Sequence, residues 1–385
     1  MSITLTDEQR MIQDAARTFA MNEVLPVANE LDPERRDIPA DLRRKLAEMG
    51  FFGITIPQEY GGLGLGVLEY CLVTEELARA WMSVSSIIRP MMGYGLFSDE
   101  QKARYLPRMA AGEMLCAFSM SEPGTGSDIS GLSCRAERDG DDWLITGNKY
   151  WCTFADGADA ILVLARTEPK RPDTKPHQGI SAFLVEKERG KLPAGVAGAP
   201  IPKIGYFGWK TWELAFDRCR VPAANMVGAE GRGFYLATHS LETARAHTAA
   251  RSIGLARAGL EDAIRYAKER IQFGRPIGEF QAIRFKIAEM ATQIEAARQL
   301  MYSVCRKIDT GERCDLEASM VKFFASEMAE RVTSEALQIH GGAGYTTHYA
   351  VERHWRDARL TKIFEGTSEI QMKIISDHLL GRAAA

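Results

Sequence analysis

The feature that most constrains this chain is a pair of long apolar stripes near its carboxy-terminal end. Ile253, Ala256, Leu260, Ile264, Ala267 and Ile271 recur at steps of three and four, and so do Ile283, Ile287, Met290, Ile294, Ala297 and Met301. That spacing places each set on one face of a helix. A third helix is expected from Leu316 to Ile339, stopped by Gly341 and Gly342. Helices this long suit a four-helix bundle. Ala244, Ala246, Ala249, Ala250, Ala256 and Ala258 on the first of them favour close packing against other helices or subunits.

The texture upstream is different. From about Glu113 the segments are short and rich in β-branched and aromatic residues: Trp143–Ile145, Tyr150–Thr153, Ile161–Ala165, Ile180–Val185 and Trp212–Phe216. Turn residues separate them, as at Thr146, Gly147 and Asn148, and at Asp156 and Gly157. This reads as an antiparallel β-domain. Glu168–Gln178 carries three prolines and reads as an exposed loop, and Gly190–Pro202 as a second excursion. Before residue 113 the pattern is helical again, opening with a capping box at Thr6 and Gln9 and continuing at Pro39–Met49, Tyr70–Trp81 and Asp99–Met109. The expected fold is therefore α+β: residues 1–113 an N-terminal helical domain, 114–232 a β-domain, and 233–385 a C-terminal helical bundle.

Composition narrows the functions. Of 385 residues, 45% are hydrophobic and 26% charged, with a formal net charge of −3, which excludes a strongly basic nucleic-acid surface or a membrane-binding face. No apolar run is long enough to span a bilayer, and the polar N-terminus resembles neither a secretory signal nor a transit peptide. A cytoplasmic location is expected. Seven scattered cysteines without a Cys-x-x-Cys pair argue against a disulfide framework or a zinc site, and no histidine pair has metal-ligand spacing. The loop Ile54–Gly66 is glycine-rich but fits neither a dinucleotide fingerprint nor a P-loop.

Near the end of the bundle lies Ile363-Phe-Glu-Gly-Thr-Ser-Glu-Ile-Gln371. Glu365 stands between apolar Ile363 and Phe364 and the pair Gly366 and Thr367. Apolar walls disfavour a carboxylate's charge, raise its pKa and suit it to general-base work. The bland alternative is a surface carboxylate at a helix start.

Several strings, taken in order, resemble the acyl-CoA dehydrogenase family of FAD enzymes over nearly the whole chain. They are Cys116-Ala-Phe-Ser-Met-Ser-Glu-Pro-Gly-Thr-Gly-Ser-Asp128, Ile145–Thr153, Tyr266–Ile277 with Phe280 and Gln281, Gln338–Tyr345, and Arg356–Arg359 ahead of Ile363–Gln371. The resemblance implies a homotetramer, FAD between the β-domain and the bundle, α,β-dehydrogenation of an acyl-CoA, and electron-transfer flavoprotein as acceptor. It makes Glu365 the base. Phe118, Met120, Ser121, Trp151 and Thr153 match positions along the flavin ring. Arg270 and Phe273 match positions reaching a neighbouring subunit's FAD, Gln338, Gly341 and Gly342 match its adenosine-pyrophosphate contacts, and Gln281, Thr367 and Glu369 match further cofactor contacts. Ser127, Arg245, Phe364 and Gly366 match positions near the substrate.

The sequence also departs from the family. Phe207 and Trp209 replace a more usual Arg and Ser, Phe364 replaces a common Tyr, and Phe154-Ala155 departs from a more usual Asn. The aromatic pair keeps open a flavin oxidase or monooxygenase on the same scaffold. Arg89 falls on an expected helix, Glu75–Pro90, flooring the acyl pocket. There it would pair with a second carboxylate on the acyl group, the alternative being an exposed arginine before Pro90. Val185–Gly190 and Arg313–Ala318 resemble methylsuccinyl-CoA dehydrogenases within the family.

Overall fold

The computed structural model describes residues 4–170 and 172–381. The start of the polar N-terminal stretch (residues 1–3) and the terminal Ala383–Ala385 lie outside the described residues. The N-terminal helices are α1 (Asp7–Phe19), α2 (Leu25–Leu31), α3 (Ala40–Glu48), α4 (Val67–Ala80), α5 (Met82–Ile87) and α6 (Asp99–Ala110). Thr6 caps α1 as its sequence predicts: its Oγ1 accepts from Gln9 N at 3.1 Å and Gln9 Oε1 accepts from Thr6 N at 3.0 Å.

The expected helix Glu75–Pro90 is two helices. Trp81, with φ −157° and ψ 113°, breaks it between α4 and α5. The break turns α5 so that Arg89, just past its end, meets the last part of the chain.

The β-domain is a sheet of eight strands, β1 (Cys116–Ser119), β2 (Arg135–Asp139), β3 (Asp142–Thr153), β4 (Ala160–Arg166), β5 (Ile180–Glu186), β6 (Val196–Pro200), β7 (Thr211–Pro222) and β8 (Met226–Val227). Its order is β6-β7-β3-β2-β4-β5-β8, with β1 beside β4. Most pairings are antiparallel, but β1 and β2 each pair with β4 in parallel. Thr146, Gly147 and Asn148 do not form the expected turn. They lie inside the single strand β3, at a register shift against β7 between Ile145 and Gly147. The glycine there is a packing requirement: φ is +142°, and a Cβ would come within 2.7 Å of the Cys134 Cα.

The bundle follows as α7 (Gly233–His239), α8 (Leu241–Glu269), a small hairpin of β9 (Ile271–Gln272) and β10 (Arg275–Pro276), α9 (Gln281–Asp309), α10 (Asp315–His340), α11 (Val351–Thr361) and α12 (Ser368–Leu380). Ile271 therefore falls beyond α8 and is exposed, whereas Ile253, Ala256 and Ala267 are buried. The alanines of α8 let α4 and α10 approach closely, and one hydrophobic core joins Leu72 and Leu77 of α4 to Ile253, Met301, Val321 and Met328 of the bundle. Buried charges tie the same helices: Arg298 of α9 reaches Glu75 of α4 at 2.9 Å, and Arg79 of α4 reaches Glu261 of α8 at 2.8 Å. Largely buried pairs of this kind need complete partnering to break even, and here the carboxylates are shared between several guanidiniums.

Candidate active site

Glu365 occupies the tight turn between α11 and α12. Its φ is +53° and that of Gly366 is +90°. A left-handed glutamate costs about 1–3 kcal/mol, which the surroundings must offset. Gly366 is fixed from two sides, its carbonyl accepting from Lys322 Nζ at 2.6 Å and from Gln371 Nε2 at 3.2 Å. A Cβ at Gly366 would lie 2.5 Å from Gln371 Nε2, so this corner requires glycine. Thr367 then caps α12 by accepting from Ile370 N.

The turn aims the Glu365 side chain, 19% exposed, at three donors. Arg89 Nη1 donates to Oε1 at 2.9 Å. Arg251 Nη2 and Thr248 Oγ1, both on α8, donate to Oε2 at 2.7 Å each. Phe364 turns its ring to the Arg251 guanidinium at 4.6 Å. The apolar shoulder is therefore not what the carboxylate faces, and the expected rise in pKa is reversed. Burial pushes the carboxyl up, but Arg251, Arg89 and His247, with the Thr248 hydroxyl, hold it well below the usual carboxylate range. Arg89 is not a solvent-facing helix end either; its side chain is 28% exposed and paired.

A layer of polar residues lies behind this cluster. His247 is fully buried, stacked on Tyr70 with ring centroids 4.9 Å apart, and its Nε2 faces Ser85 O at 3.1 Å. Burial and Arg251 keep that imidazole neutral. Tyr206, at φ +57°, sets its ring edge-on to Phe364 at 6.1 Å, and its N–H donates to the buried Asp357 at 2.6 Å.

Arg245 is not part of the cluster. It lies on α8 but turns to Asp315 at 3.5 Å. The residues that do meet Glu365 from α8 are Thr248 and Arg251, which sequence reasoning missed. A signal was present: Arg251 is a charge inside the buried run Ala249, Ala250, Ile253, Ala256, and such a charge demands a partner.

The matched flavin positions form two separate groups in one chain. In the first, β1 and its following turn carry Phe118, Met120 and Ser121, with the substrate-matched Ser127 exposed further along the same turn. Phe118 and Met120 pack against the core between α6 and the sheet, and Ser121 O accepts from Tyr150 N at 2.8 Å. A second register shift in β3, between Lys149 and Cys152, puts Trp151 at φ +63° and leaves its indole 56% exposed. Thr153 Oγ1 lies 3.1 Å from Thr211 Oγ1. The second group sits at the far end of the bundle, about 33 Å along α8 from Thr248 at 1.5 Å per residue. It comprises Arg270 and Phe273 at the β9–β10 hairpin, Gln281 at the start of α9, and Gln338, Gly341 and Gly342 at the end of α10. Stacking of Tyr266 on His340 at 4.3 Å joins these elements. Phe273 is 93% exposed, and the space beside Gly341 and Gly342 is open. Glu369 is exposed in the first turn of α12.

The aromatic departures are absorbed by packing. Trp209 is buried against Phe154 at 4.3 Å and donates from Nε1 to Ser83 O at 2.8 Å. Phe207 receives the guanidiniums of Arg35 and Arg356 on its ring.

A carboxylate held ionised by two guanidiniums on the helical bundle thus shares the chain with a β-sheet that exposes an indole. Comparison with known proteins gives the class. Residues 6–113, 117–219 and 231–380 match the N-terminal, middle and C-terminal domains of acyl-CoA dehydrogenase. An acyl-CoA dehydrogenase of Bacillus subtilis (strain 168) is 42% identical, covering 98% of this chain and 99% of its own length. The (2S)-methylsuccinyl-CoA dehydrogenase of Cereibacter sphaeroides is also 42% identical, over 98% of this chain and 70% of that protein. The structure of butyryl-CoA dehydrogenase from Megasphaera elsdenii superposes with a TM-score of 0.92 at 36% identity, covering 99% of this chain and 100% of that one. The chain belongs to the acyl-CoA dehydrogenase family of FAD-dependent oxidoreductases. The residues present fit that cofactor: the outward-turned Trp151 offers an apolar face, and the open backbone at Gly341 and Gly342, at the same end of the bundle as Arg270, suits a pyrophosphate. Among the described residues no group of side chains could hold a metal ion, and no helix is long and apolar enough to cross a membrane.

Proposed function

We propose that Glu365 is the catalytic base of an acyl-CoA dehydrogenase whose substrate is a short, branched or carboxylated acyl thioester. The observation that carries this is the Glu365 carboxylate, ionised and aimed by Arg89, Thr248 and Arg251 from a left-handed turn. Glu365 takes the α-proton, and the C–H electron pair passes into the thioester enolate. FAD, when bound, accepts the β-hydrogen as hydride. Trp151, Thr153, Met120 and Ser121 line the flavin, and Phe364, Gly366 and Ser127 lie toward the substrate, with Arg245, held by Asp315, toward its CoA portion. Arg89 pairs with a distal carboxylate of the acyl group, because a partly open guanidinium beside the base can receive one.

Arg270, Phe273, Gln281, Gln338, Gly341 and Gly342 complete the FAD site of a neighbouring copy in a homotetramer. Their distance from Glu365 and the bare Phe273 ring support that arrangement. Thr367 and Glu369 contribute further cofactor contacts. Electrons leave to an electron-transfer flavoprotein, and the protein works in the cytoplasm. The test is Glu365→Gln: the purified variant keeps its yellow flavin and no longer bleaches on addition of acyl-CoA. Near-normal turnover by that variant overturns the assignment.

A further inference from the structure

Arg251 is the more enclosed of the two guanidiniums that reach Glu365, with its side chain 1% exposed. Four contacts fix it. Nη2 donates to Glu365 Oε2 at 2.7 Å and to Thr248 Oγ1 at 2.9 Å. Nη1 donates to Ser86 Oγ on α5 at 3.1 Å, and the guanidinium plane lies 4.6 Å from the Phe364 ring. Thr248, three residues earlier on α8, has one proton to give. With Arg251 donating into its oxygen, the Thr248 hydroxyl can give its proton to Glu365 at 2.7 Å or to Ala244 O at 2.9 Å, and the shorter contact is the one to the carboxylate. Arg89, by contrast, reaches the other carboxylate oxygen from an open edge, 28% exposed. One guanidinium is thus built into the helix bundle and the other stands at its margin.

We propose that Arg251 is the positioning residue of the base: through Nη2, and through Thr248, it fixes the conformation in which Glu365 takes the α-proton. This rests on the assignment of Glu365 above. A carboxylate at the end of a left-handed turn can swing about its side-chain torsions, and proton abstraction needs it within hydrogen-bond reach of one C–H. Arg251 removes that freedom, because its own atoms are held by α5, α8 and the residue before the base. The other groups that face the carboxylate are Arg89, His247 and Lys322, with Tyr70 and Tyr206 behind them. None of these is fixed to both Thr248 and Glu365.

The experiment uses the flavin-loaded enzyme and an acyl-CoA that bleaches the wild type. With Arg251→Gln, kcat per bound flavin falls by about tenfold or more while KM changes by less than about threefold. The acid limb of kcat/KM moves up by about one pH unit or more, because a cation beside the carboxylate is gone. Arg251→Lys restores the acid limb but only part of kcat, since one ammonium cannot span Thr248, Ser86 and Glu365 together. Unchanged kcat and acid limb in Arg251→Gln overturn the proposal, as does a kcat loss fully matched by lost flavin. The base assignment fails separately: turnover by Glu365→Gln would sink both readings, whereas an inactive Glu365→Gln beside a normal Arg251→Gln sinks only this one.

Discussion

The guanidinium of Arg89 donates to Glu365 Oε1 at 2.9 Å across 276 positions of sequence. A residue after a short helix in the N-terminal section and one in the last turn of the bundle thereby form one site. Arg89→Leu is expected to lower kcat/KM for methylsuccinyl-CoA relative to butyryl-CoA. Loss of a charged hydrogen bond amounts to about 1.5–3 kcal/mol, which is roughly tenfold or more in that ratio. An unchanged ratio in flavin-bleaching assays would show that Arg89 does not read a substrate carboxylate.

The same cluster sets a pH dependence. Glu365 is held well below the carboxylate range by Arg251 and Arg89 despite its burial. The free enzyme should therefore show no acid limb from this group near its unperturbed value of 4.5 or above. Its depressed pKa contributes stability that is present above the unfolded value and lost as pH falls toward the folded one. A kcat/KM profile with an acid limb between pH 5 and 7 that disappears in no Arg variant, and is absent from the flavin's own titration, would contradict this (roughly the window reached by a carboxylate raised through burial).

Asp357 has the opposite sign. Burial, and then the Asp32 carboxylate, push it up to about 7. The folded state then holds more protons than the unfolded one between the ordinary value of 3.8 and about 7, so this group's contribution to stability declines as pH rises through that window. Asp357→Asn should remove that decline. Thermal midpoints of wild type minus variant, taken across the window, should slope downward with pH; a flat difference refutes the assignment.

At the far end of the bundle, Phe273 is 93% exposed in the single chain. Phe273→Ala with Arg270→Ala should release FAD on dilution, measured as flavin absorbance per protein after gel filtration, while the chain keeps its helical circular dichroism. Light scattering should give a tetramer mass for the holoenzyme. Undiminished flavin retention would place the cofactor's far end elsewhere.

Gly147→Ala tests the reading of β3. Its Cβ would meet the Cys134 backbone at 2.7 Å, at a φ of +142°. Overpacking of this kind costs about 1–3 kcal/mol, so the unfolding midpoint should drop by several degrees.

Much of the scaffold was legible in the chain. Thr6 and Gln9 announce the first cap, the three-and-four spacing announces α8 and α9, and Gly341 ends α10 beyond His340. Each is a local rule in which a side chain answers to a neighbour three or four positions away. Gly147 misled because a glycine between polar residues marks a turn in one setting and a close strand contact in another. Only the presence of Cys134, just ahead of the adjoining strand β2, decides between them.

The sequence by itself determined that Glu365 stands between an apolar pair and a Gly-Thr pair, and through resemblance that it is a candidate base. The tertiary structure decided what that carboxylate faces. Its neighbours in the chain are apolar, but Arg89, Thr248 and Arg251 arrive from α5's end and from α8, and they reverse the direction of its pKa. Electrostatic energy falls with distance in space, and residues far apart in sequence are brought within hydrogen-bond reach only when α4, α5, α8 and the last turn pack on one core.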